Sequence, residues 1–358
     1  MTPSHHRSVR AKARAPLGRA ALFLATLALL GGCLFGVSLW LESASPPEPL
    51  GLPTVGTSPT VAVATAPVEM PTAAPAGTSE APVVPSPSPT ALPPAATSGD
   101  VNILLLGTDR RPHLSAAWRT DTIIVVAVRP TAKVVALFSI PRDLWVTIPG
   151  GEPDRINTVD YRGEKLYGPG GGPRLLGATL QQNLGIPVHA YVRVDFQGLE
   201  RAIDALGGIT INADRAYDEW LDDGAGGLWH LMVSPGLQHM DGRTALGYAR
   251  SRHDTGDLDR CRRQQQILLA MRDAALRPAV VAQLPRLIPA LAEAVDTDLS
   301  PAQMVALVGL GLRLDAGAYR TAVFDSTMVT SRVTPEGAMV LLPNREAIDK
   351  AWADLVTP

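Results

Sequence analysis

Arginine and aspartate side chains recur after residue 100 of this 358-residue chain, at positions where they could bind a phosphate-bearing ligand. Asp109 and Asp121 stand at the two ends of a short polar stretch that also carries Arg110 and Arg119. A guanidinium group stays charged and donates paired hydrogen bonds to phosphate oxygens. Two carboxylates beside phosphate suit a hard divalent cation, Mg²⁺ or alternatively Mn²⁺. These residue types are typical of a site that binds phosphate together with a metal ion.

Three continuous apolar segments must position these side chains: VNILLLG from Val101, DTIIVVAV from Asp121 and KVVALFSI from Lys133. Runs of this length that are rich in Val and Ile indicate strands buried on both faces. The short connection 129–132 predicts an antiparallel hairpin, and the eleven-residue excursion 109–119 lets the first two strands run antiparallel as well. One edge of the sheet would then collect the polar residues Asp109, Arg110, Arg119, Asp121 and Arg142.

A second group of arginines lies in the segment YARSRHDTGDLDRCRRQQQ. On a helix beginning near Asp259, the side chains of Arg260, Arg263 and Gln264 share one face because of their i, i+3, i+4 spacing. This face predicts a further set of donors for a phosphate ligand.

Arg250 and Arg252 in the same segment are two positions apart, so they reach one ligand together only if the backbone there is not helical. Each arginine and aspartate pair has a plainer interpretation as a structural salt bridge at a strand end. Asp257 or Asp259 can equally be the N-cap of the helix that follows.

Strand and helix patterns alternate through the rest of the chain. Helices are predicted over 173–184, 197–206, 260–277, 279–295 and 301–314 and from Asn344 onward, and strands at HAYVRVDF, GITINAD and TAVFDS. This alternation predicts an α/β domain with a central mixed β-sheet covered by helices in an α/β/α layered arrangement. The apolar runs ILLAM, VVAQL and MVALVGLGL are either ordinary core or the lining of an apolar slot.

The first part of the chain predicts a membrane anchor. Residues 20–41 are 22 residues without charge, long enough to cross a bilayer as a helix. Residues 1–19 carry five cations and no acid, so they are expected to be a cytoplasmic stub. The chain would then cross the cell membrane once, and the residues after the anchor would lie outside it. The alternative is a cleaved lipoprotein signal at LGGC, which ends at Cys33; the apolar run continuing past Cys33 favours the uncleaved anchor.

Residues 42–99 are rich in Pro, Ala, Ser and Thr and predict a disordered linker that carries an extracytoplasmic domain over 100–358. The net charge of −2 argues against a nucleic-acid partner. No nucleotide-binding loop or nucleophile-elbow string occurs in the sequence. With Cys33 in the predicted membrane segment, Cys261 has no partner for an intramolecular disulfide.

Six strings in this order resemble motifs of the LytR-CpsA-Psr family of membrane-anchored cell-wall glycopolymer ligases. They are NILLLGTDRR, RTDT, SIPRD, RINTVDY, the YGPGGGP loop and YARSRHDTGDLDRCRRQQQ, within residues 101–273. The resemblance implies a phosphotransferase that moves a phosphoglycan, such as a teichoic acid-like polymer, from a polyprenyl-pyrophosphate carrier to an acceptor hydroxyl on peptidoglycan. Mg²⁺ would be required and polyprenyl phosphate released.

The resemblance also implies roles for individual residues. Asp109 and Asp121 match metal-binding aspartates and, with Arg142 and Arg250, are the expected catalytic residues. Arg119, Arg142, Arg250, Arg252, Arg260 and Gln264 match residues that contact the pyrophosphate. Arg110, Arg155 and Arg263 are expected to contact it as well. Arg155 stands where many members have lysine, and Val159 replaces a smaller residue in the same string.

Two other classes of function remain open from the sequence. A polyprenyl-pyrophosphate phosphatase would use the same site with water as the acceptor. A non-catalytic wall-binding protein, or a membrane protein of the transcriptional-attenuator type, would tolerate the loss of both aspartates.

Overall fold

The computed structural model describes residues 99–110, 117–222, 227–251, 256–281, 295–300, 303–304, 306–307, 310 and 314–357. The predicted stub and membrane segment lie outside these residues, as does the predicted linker apart from residue 99. In the part of the chain that is described, no helix combines the length and the apolar character needed to cross a bilayer.

Fourteen strands and seven α-helices have both ends within the described residues, and residues 303–304, 306–307 and 310 are also helical. The strands are β1 (Val101–Thr108), β2 (Thr120–Arg129), β3 (Val134–Ser139), β4 (Trp145–Val146), β5 (Asp154–Arg155), β6 (Ala190–Asp195), β7 (Ile209–Ala213), β8 (Tyr217–Asp222), β9 (Leu228–Val233), β10 (Gly236–Met240), β11 (Val295–Thr297), β12 (Tyr319–Val323), β13 (Val329–Val333) and β14 (Met339–Pro343). The helices are α1 (Val159–Tyr167), α2 (Gly171–Leu184), α3 (Phe196–Ala205), α4 (Gly242–Arg250), α5 (Asp257–Ala275), α6 (Pro278–Val281) and α7 (Arg345–Val356).

The central sheet has six strands in the order β11-β6-β1-β2-β3-β12. β1 pairs antiparallel with β2, and β2 with β3, which confirms the two antiparallel connections predicted from the turn lengths. β6 runs parallel to β1 and β12 parallel to β3, while β11 is antiparallel to β6. The sheet is therefore mixed, as the sequence predicted.

The central strands are buried on both faces, because alternate side chains of one strand enter different cores. Leu104 and Leu106 of β1 pack with residues of α2 and α7 on one face. Ile103 and Leu105 face the other side, where Leu268 of α5 packs. A third cluster joins α3, α4 and α5 to β7 and β9. Helices cover the sheet, and the third cluster forms a lobe beside it.

A bulge shapes the edge that carries the polar residues. The register between β1 and β2 shifts between Gly107 and Thr108. A Cβ at position 107 would lie 2.8 Å from Cβ of Thr122, so only glycine lets the two backbones approach this closely. The bulge redirects the end of β1 just before Asp109.

The ends of two predicted helices differ from the structure. Val295, predicted to end a helix over 279–295, begins an edge strand, and most of that segment lies outside the described residues. Residues 303, 304, 306, 307 and 310 are helical, as predicted over 301–314, but Leu314 is not. Arg250 is the last residue of α4, and the backbone leaves the helix at Ser251, before Arg252.

Candidate functional site

Asp109 and Asp121 lie at the same edge of the central sheet, as the strand geometry predicted. Thr108 pairs with Thr120, and each aspartate directly follows one member of this pair. The Asp109 backbone N–H donates to the Arg119 carbonyl at 3.2 Å, and Asp109 Oδ1 accepts from the Arg119 N–H at 2.6 Å. These bonds fix the backbone that carries Arg119 next to Asp109.

Arg142 is the centre of the charged group. Its Nη1 donates to Asp121 Oδ1 at 2.7 Å, and its Nε lies 3.4 Å from carboxylate oxygens of both Asp143 and Asp257. Burial alone would lower the pKa of Arg142, but the hydrogen bond and charge of Asp121, with the other two carboxylates, outweigh it and raise the pKa. Arg142 therefore stays a cation, held in place by three carboxylates.

Asp257 links Arg142 to Arg260. Its Oδ1 lies 2.6 Å from Nη2 of Arg260, and its Oδ2 accepts from the Arg142 backbone N–H at 3.3 Å. Gly256 is the N-cap of α5, so Asp257 is not the cap considered from the sequence. Burial raises the pKa of Asp257, while Arg260 and Arg142 act in the opposite direction. Sequence reasoning missed this contact because Asp257 and Arg142 are 115 residues apart.

Arg260 is the most deeply placed of the arginines at the edge, with a side chain only 2 % exposed. Its Nη2 also donates to the Asp121 carbonyl at 3.1 Å. Its Nε is buried without a hydrogen-bond partner among the described residues. A buried cation with an unsatisfied donor is costly unless a ligand supplies the acceptor.

A cavity of about 320 Å³ opens beside these residues. Its polar side includes Asp121, Arg250, Arg260 and Gln264, and its other walls are apolar side chains such as Leu106, Phe196, Leu199, Leu246, Ile267 and Met271. Of the three apolar runs weighed as a slot lining, ILLAM contributes Ile267, Leu268 and Met271. The shape suits an amphipathic ligand with an anionic head and an apolar tail.

Arg250 reaches the cavity from the end of α4. Its guanidinium lies 4.9 Å over the ring of Phe196, and its Nη1 donates to the Asp222 carbonyl at 3.2 Å. A guanidinium packed on an aromatic ring still has donors along its edge, so it can hold an anion while its face is covered.

Other arginines expected at the site lie elsewhere. Arg263 is buried against the rings of Tyr217 and Tyr248 and donates to the carbonyls of Tyr248 and Ser251. It therefore ties α5 to the end of α4 and does not line the cavity.

Three further arginines expected at the pyrophosphate are outside the cavity lining, among them Arg119, which is exposed beside Asp109. Arg155 pairs with Asp143 at 3.4 Å and donates to the Met339 carbonyl at 2.8 Å. Arg110 is exposed and stacks on Trp118 at 4.8 Å. Arg252 lies outside the described residues.

A divalent cation fits this edge only in company with a ligand. The described residues contain no group of three or more His, Cys, Asp or Glu side chains arranged to hold a metal. Asp109 and Asp121 supply two carboxylates at this edge, where Arg260 donates from Nη2 to the Asp121 carbonyl and keeps an unsatisfied Nε. Mg²⁺ is commonly held by one or two carboxylates, with phosphate oxygens and water completing its shell. The donor set therefore fits a cation that binds together with phosphate.

Cys261 offers no nucleophile to this site. The thiol is free and buried, and burial raises its pKa to about 12. The thiolate, which is the reactive form, is therefore not populated near neutral pH.

Arg260→Gln is expected to weaken the binding of inorganic pyrophosphate by about tenfold to a hundredfold, because charged hydrogen bonds contribute roughly 1.5–3 kcal/mol. Isothermal titration calorimetry with Mg²⁺ present measures the change. Arg262→Gln is the matched control, since Arg262 is exposed on the same helix and forms an ion pair with Asp259, away from the cavity lining. Equal affinities for the two variants would show that Arg260 does not contact the anion.

Comparison with known proteins shows the family to which this chain is related. The model of the LytR_cpsA_psr family matches residues 72–356. A relative from Oceanobacillus iheyensis, the polyisoprenyl-teichoic acid–peptidoglycan teichoic acid transferase TagU, is 34% identical over 201 residues, which are 56% of this chain and 59% of that protein. The chain thus spans about three-fifths of the length of this relative.

Two solved structures share the fold. The crystal structure of TagV from B. subtilis covers 74% of this chain and 100% of its own, with 26% identity and a TM-score of 0.58. The LytR-CPS2A-psr family protein YwtF (TagT) with bound octaprenyl pyrophosphate lipid covers 72% of this chain and 88% of its own, with 22% identity and a TM-score of 0.51. The family match extends over most of the chain, and the mixed sheet, the aspartate and arginine edge and the apolar cavity lie within it. The chain belongs to the LytR_cpsA_psr family.

Proposed function

We propose that this protein is a phosphotransferase that attaches a glycopolymer, carried on polyprenyl pyrophosphate, to an acceptor hydroxyl of peptidoglycan. The observation that carries the proposal is the apolar cavity of about 320 Å³ with Arg250, Arg260 and Gln264 on its polar side. A pyrophosphate head would lie against the arginines and the polyprenyl tail would enter the apolar part. The name of TagU and the lipid bound in YwtF support this choice of substrate.

Five of the residues described above have a part in the proposed reaction. Arg142, Arg250 and Arg260 bind the pyrophosphate and offset the negative charge that develops on it, because they are held in position before the substrate arrives. Asp109 and Asp121 would hold Mg²⁺ (or Mn²⁺), which as a bound cation would neutralise phosphate charge and orient the reacting phosphate. The acceptor hydroxyl oxygen attacks the glycan phosphate and its proton passes to solvent, while polyprenyl phosphate leaves with the electron pair of the broken P–O bond.

The proposed location follows from the substrate. We place the catalytic domain outside the cell membrane on a single-pass anchor over residues 20–41, because a lipid-linked glycan and peptidoglycan are both available there. The predicted linker would let the domain reach the wall while its lipid substrate remains in the bilayer.

The reaction is tested with a defined polyprenyl-pyrophosphate oligosaccharide, with and without peptidoglycan and Mg²⁺, followed by mass analysis of the products. The proposal predicts a glycan joined through phosphate to peptidoglycan, with polyprenyl phosphate released. Free glycan phosphate at the same rate with and without acceptor would indicate a phosphatase instead. No product under any condition would indicate a binding protein.

Ala249→Phe is expected to raise the KM for a long-chain carrier by about tenfold, because Ala249 lines the cavity and a phenyl ring there displaces at least two CH₂ groups of the tail, worth about 0.8 kcal/mol each. Affinity for inorganic pyrophosphate should stay unchanged. Leu237→Phe, at an exposed residue outside the cavity lining, is the control. A normal KM for Ala249→Phe would place the tail outside this cavity.

A further inference from the structure

The β8–β9 hairpin has an outer face that the proposed reaction does not use. Side chains of paired strands alternate between two faces. Tyr217, Glu219 and Leu221 point inward, so the opposite face of β8 carries Asp218, Trp220 and Asp222, all three exposed. The residues across from these on β9 are Met232, His230 and Leu228, respectively.

Trp220 is held in a defined orientation although it is 64% exposed. The ring of its cross-strand partner His230 stacks on it, with centroids 4.6 Å apart and planes only 8° from parallel. His230 in turn donates from Nε2 to Asp218 Oδ1 at 2.6 Å. The chain of contacts from Asp218 through His230 to Trp220 holds the indole ring in one orientation with one face against His230, which lowers the entropy cost of stacking a ligand on the other face.

Carboxylates flank this ring on both sides. Asp218 and Asp222 are each two residues from Trp220 on the same strand and the same face, which places them about 7 Å along the strand in either direction. A pyranose ring has an apolar C–H face that packs on an aromatic ring, and hydroxyl groups at its rim that donate to carboxylates. An aromatic ring with a carboxylate on either side along the strand therefore offers a sugar both kinds of contact.

We propose that the outer face of the β8–β9 hairpin binds a neutral glycan chain, with a sugar ring stacked on Trp220 and its hydroxyls donating to Asp218 and Asp222.

Charge favours a neutral glycan over the two other ligands that an exposed apolar face could take. Anionic lipid surfaces attract Lys and Arg, but the six outward residues of β8 and β9 include two aspartates and no lysine or arginine. Inserting this face into a bilayer would also bury both carboxylates, which is costly. A phosphate-rich polymer would be repelled by the same two charges.

The hairpin also connects this face to the candidate site. Glu219 and Leu221, on the inner face of β8, line the cavity, and the Asp222 carbonyl accepts from Arg250. A glycan on the outer face would thus be separated from the cavity, and from Arg250 and Arg260, by β8 alone. Binding of the glycan does not depend on the proposed function; only its role as the acceptor chain rests on that function.

The test compares Trp220→Ala with the wild-type full chain in detergent, using soluble β-1,4-linked N-acetylglucosamine oligomers as the probe. Calorimetric titration should show at least about a fivefold loss of affinity, since an aromatic stacking contact contributes on the order of 1 kcal/mol. Trp220→Phe should keep most of the affinity. Leu237→Ala removes an equally exposed apolar side chain from β10 and should bind normally.

Two results would overturn the proposal. One is unchanged oligomer affinity in Trp220→Ala with an unchanged thermal melt. The other is Trp220-dependent quenching of tryptophan emission by brominated phosphatidylcholine in nanodiscs, which would place the face in the membrane. Pyrophosphate affinity should be the same in these variants, because the outer face does not touch the pyrophosphate. The two proposals can fail separately. The glycan proposal fails if Trp220→Ala leaves oligomer binding unaffected, and the proposed function fails if no transfer product forms while oligomers still bind.

Discussion

Asp121→Asn is expected to lower turnover by about 10²–10³ while the protein stays folded. Losing one preorganised electrostatic contact to the reacting group typically costs this much. The asparagine keeps the size of the side chain, and its Oδ1 can still accept from Arg142 Nη1, which lies 2.7 Å from Asp121 Oδ1. Its side chain is 21% exposed, so little packing changes. The substitution therefore mainly removes the negative charge of Asp121, which would hold the cation and which balances the charge of Arg142.

The measurement separates turnover from KM, because a lost cation ligand can also weaken substrate binding. A Mg²⁺ titration of activity should shift to higher concentration in Asp121→Asn. Asp143→Asn is the matched control: this carboxylate also contacts Arg142 but lies one residue beyond it and outside the cavity lining, so its effect should be no more than about tenfold. Full turnover per folded Asp121→Asn molecule would rule out the metal role, and early melting with normal turnover would indicate a structural salt bridge.

Arg193→Met is expected to cost about 3–5 kcal/mol of unfolding free energy, the usual penalty for breaking a buried ion pair. Arg193 is 3% exposed and contacts Asp160 at 2.9 Å, Glu164 at 3.2 Å and also Asp296. Asp160 is fully buried, and burial already raises its pKa although Arg193 opposes this effect. Without the arginine, a carboxylate would remain in the core with only hydrogen bonds to offset its charge.

The pH dependence gives this prediction a sign. Loss of Arg193 raises the pKa of Asp160 in the folded protein further above its pKa in the unfolded chain. The ionised carboxyl therefore destabilises the folded state at high pH. This cost falls as pH drops through the folded-state pKa towards the unfolded-state pKa. Urea unfolding should therefore show a smaller deficit at pH 5 than at pH 7.

Arg345→Met is the control for this variant, because its pair with Asp349 is exposed and should contribute less than about 1 kcal/mol. Equal losses in the two variants, or a deficit that grows as pH falls, would contradict the prediction. The double variant Arg193→Met with Asp160→Asn should recover part of the loss, since it leaves no buried charge without a partner.

Arg193 also bears on the candidate site through Asp160. Trp118 Nε1 donates to Asp160 Oδ2 at 2.9 Å, and Thr120 Oγ1 lies 3.4 Å from the same oxygen. These residues flank Arg119 and precede Asp121. The buried ion pair thus positions the strand start that carries the expected metal ligand, and its loss should lower turnover as well as stability.

The sequence by itself determined the central sheet and its polar edge. β1, β2 and β3 are continuous apolar runs joined by connections whose lengths allow antiparallel pairing, so local signals were sufficient. That pairing is enough to bring Asp109 and Asp121 to one edge. The shared face of Arg260, Arg263 and Gln264 likewise follows from helical spacing, and all three are buried on α5. The anchor and linker stay predictions, because they lie outside the described residues.

Only the tertiary structure decided which charged residues act together. Asp257 contacts Arg142 although the two are 115 residues apart in the sequence. Arg263 was expected to bind the ligand, but it donates to backbone carbonyls because α4 ends beside it. The hairpin β8–β9 and helix α4 were not predicted, since three of the six residues of β8 are acidic and α4 is short and contains two glycines. Such elements have weak local preferences and form because packing between distant segments stabilises them. Local spacing fixes the face on which a side chain lies, whereas its partner depends on long-range packing.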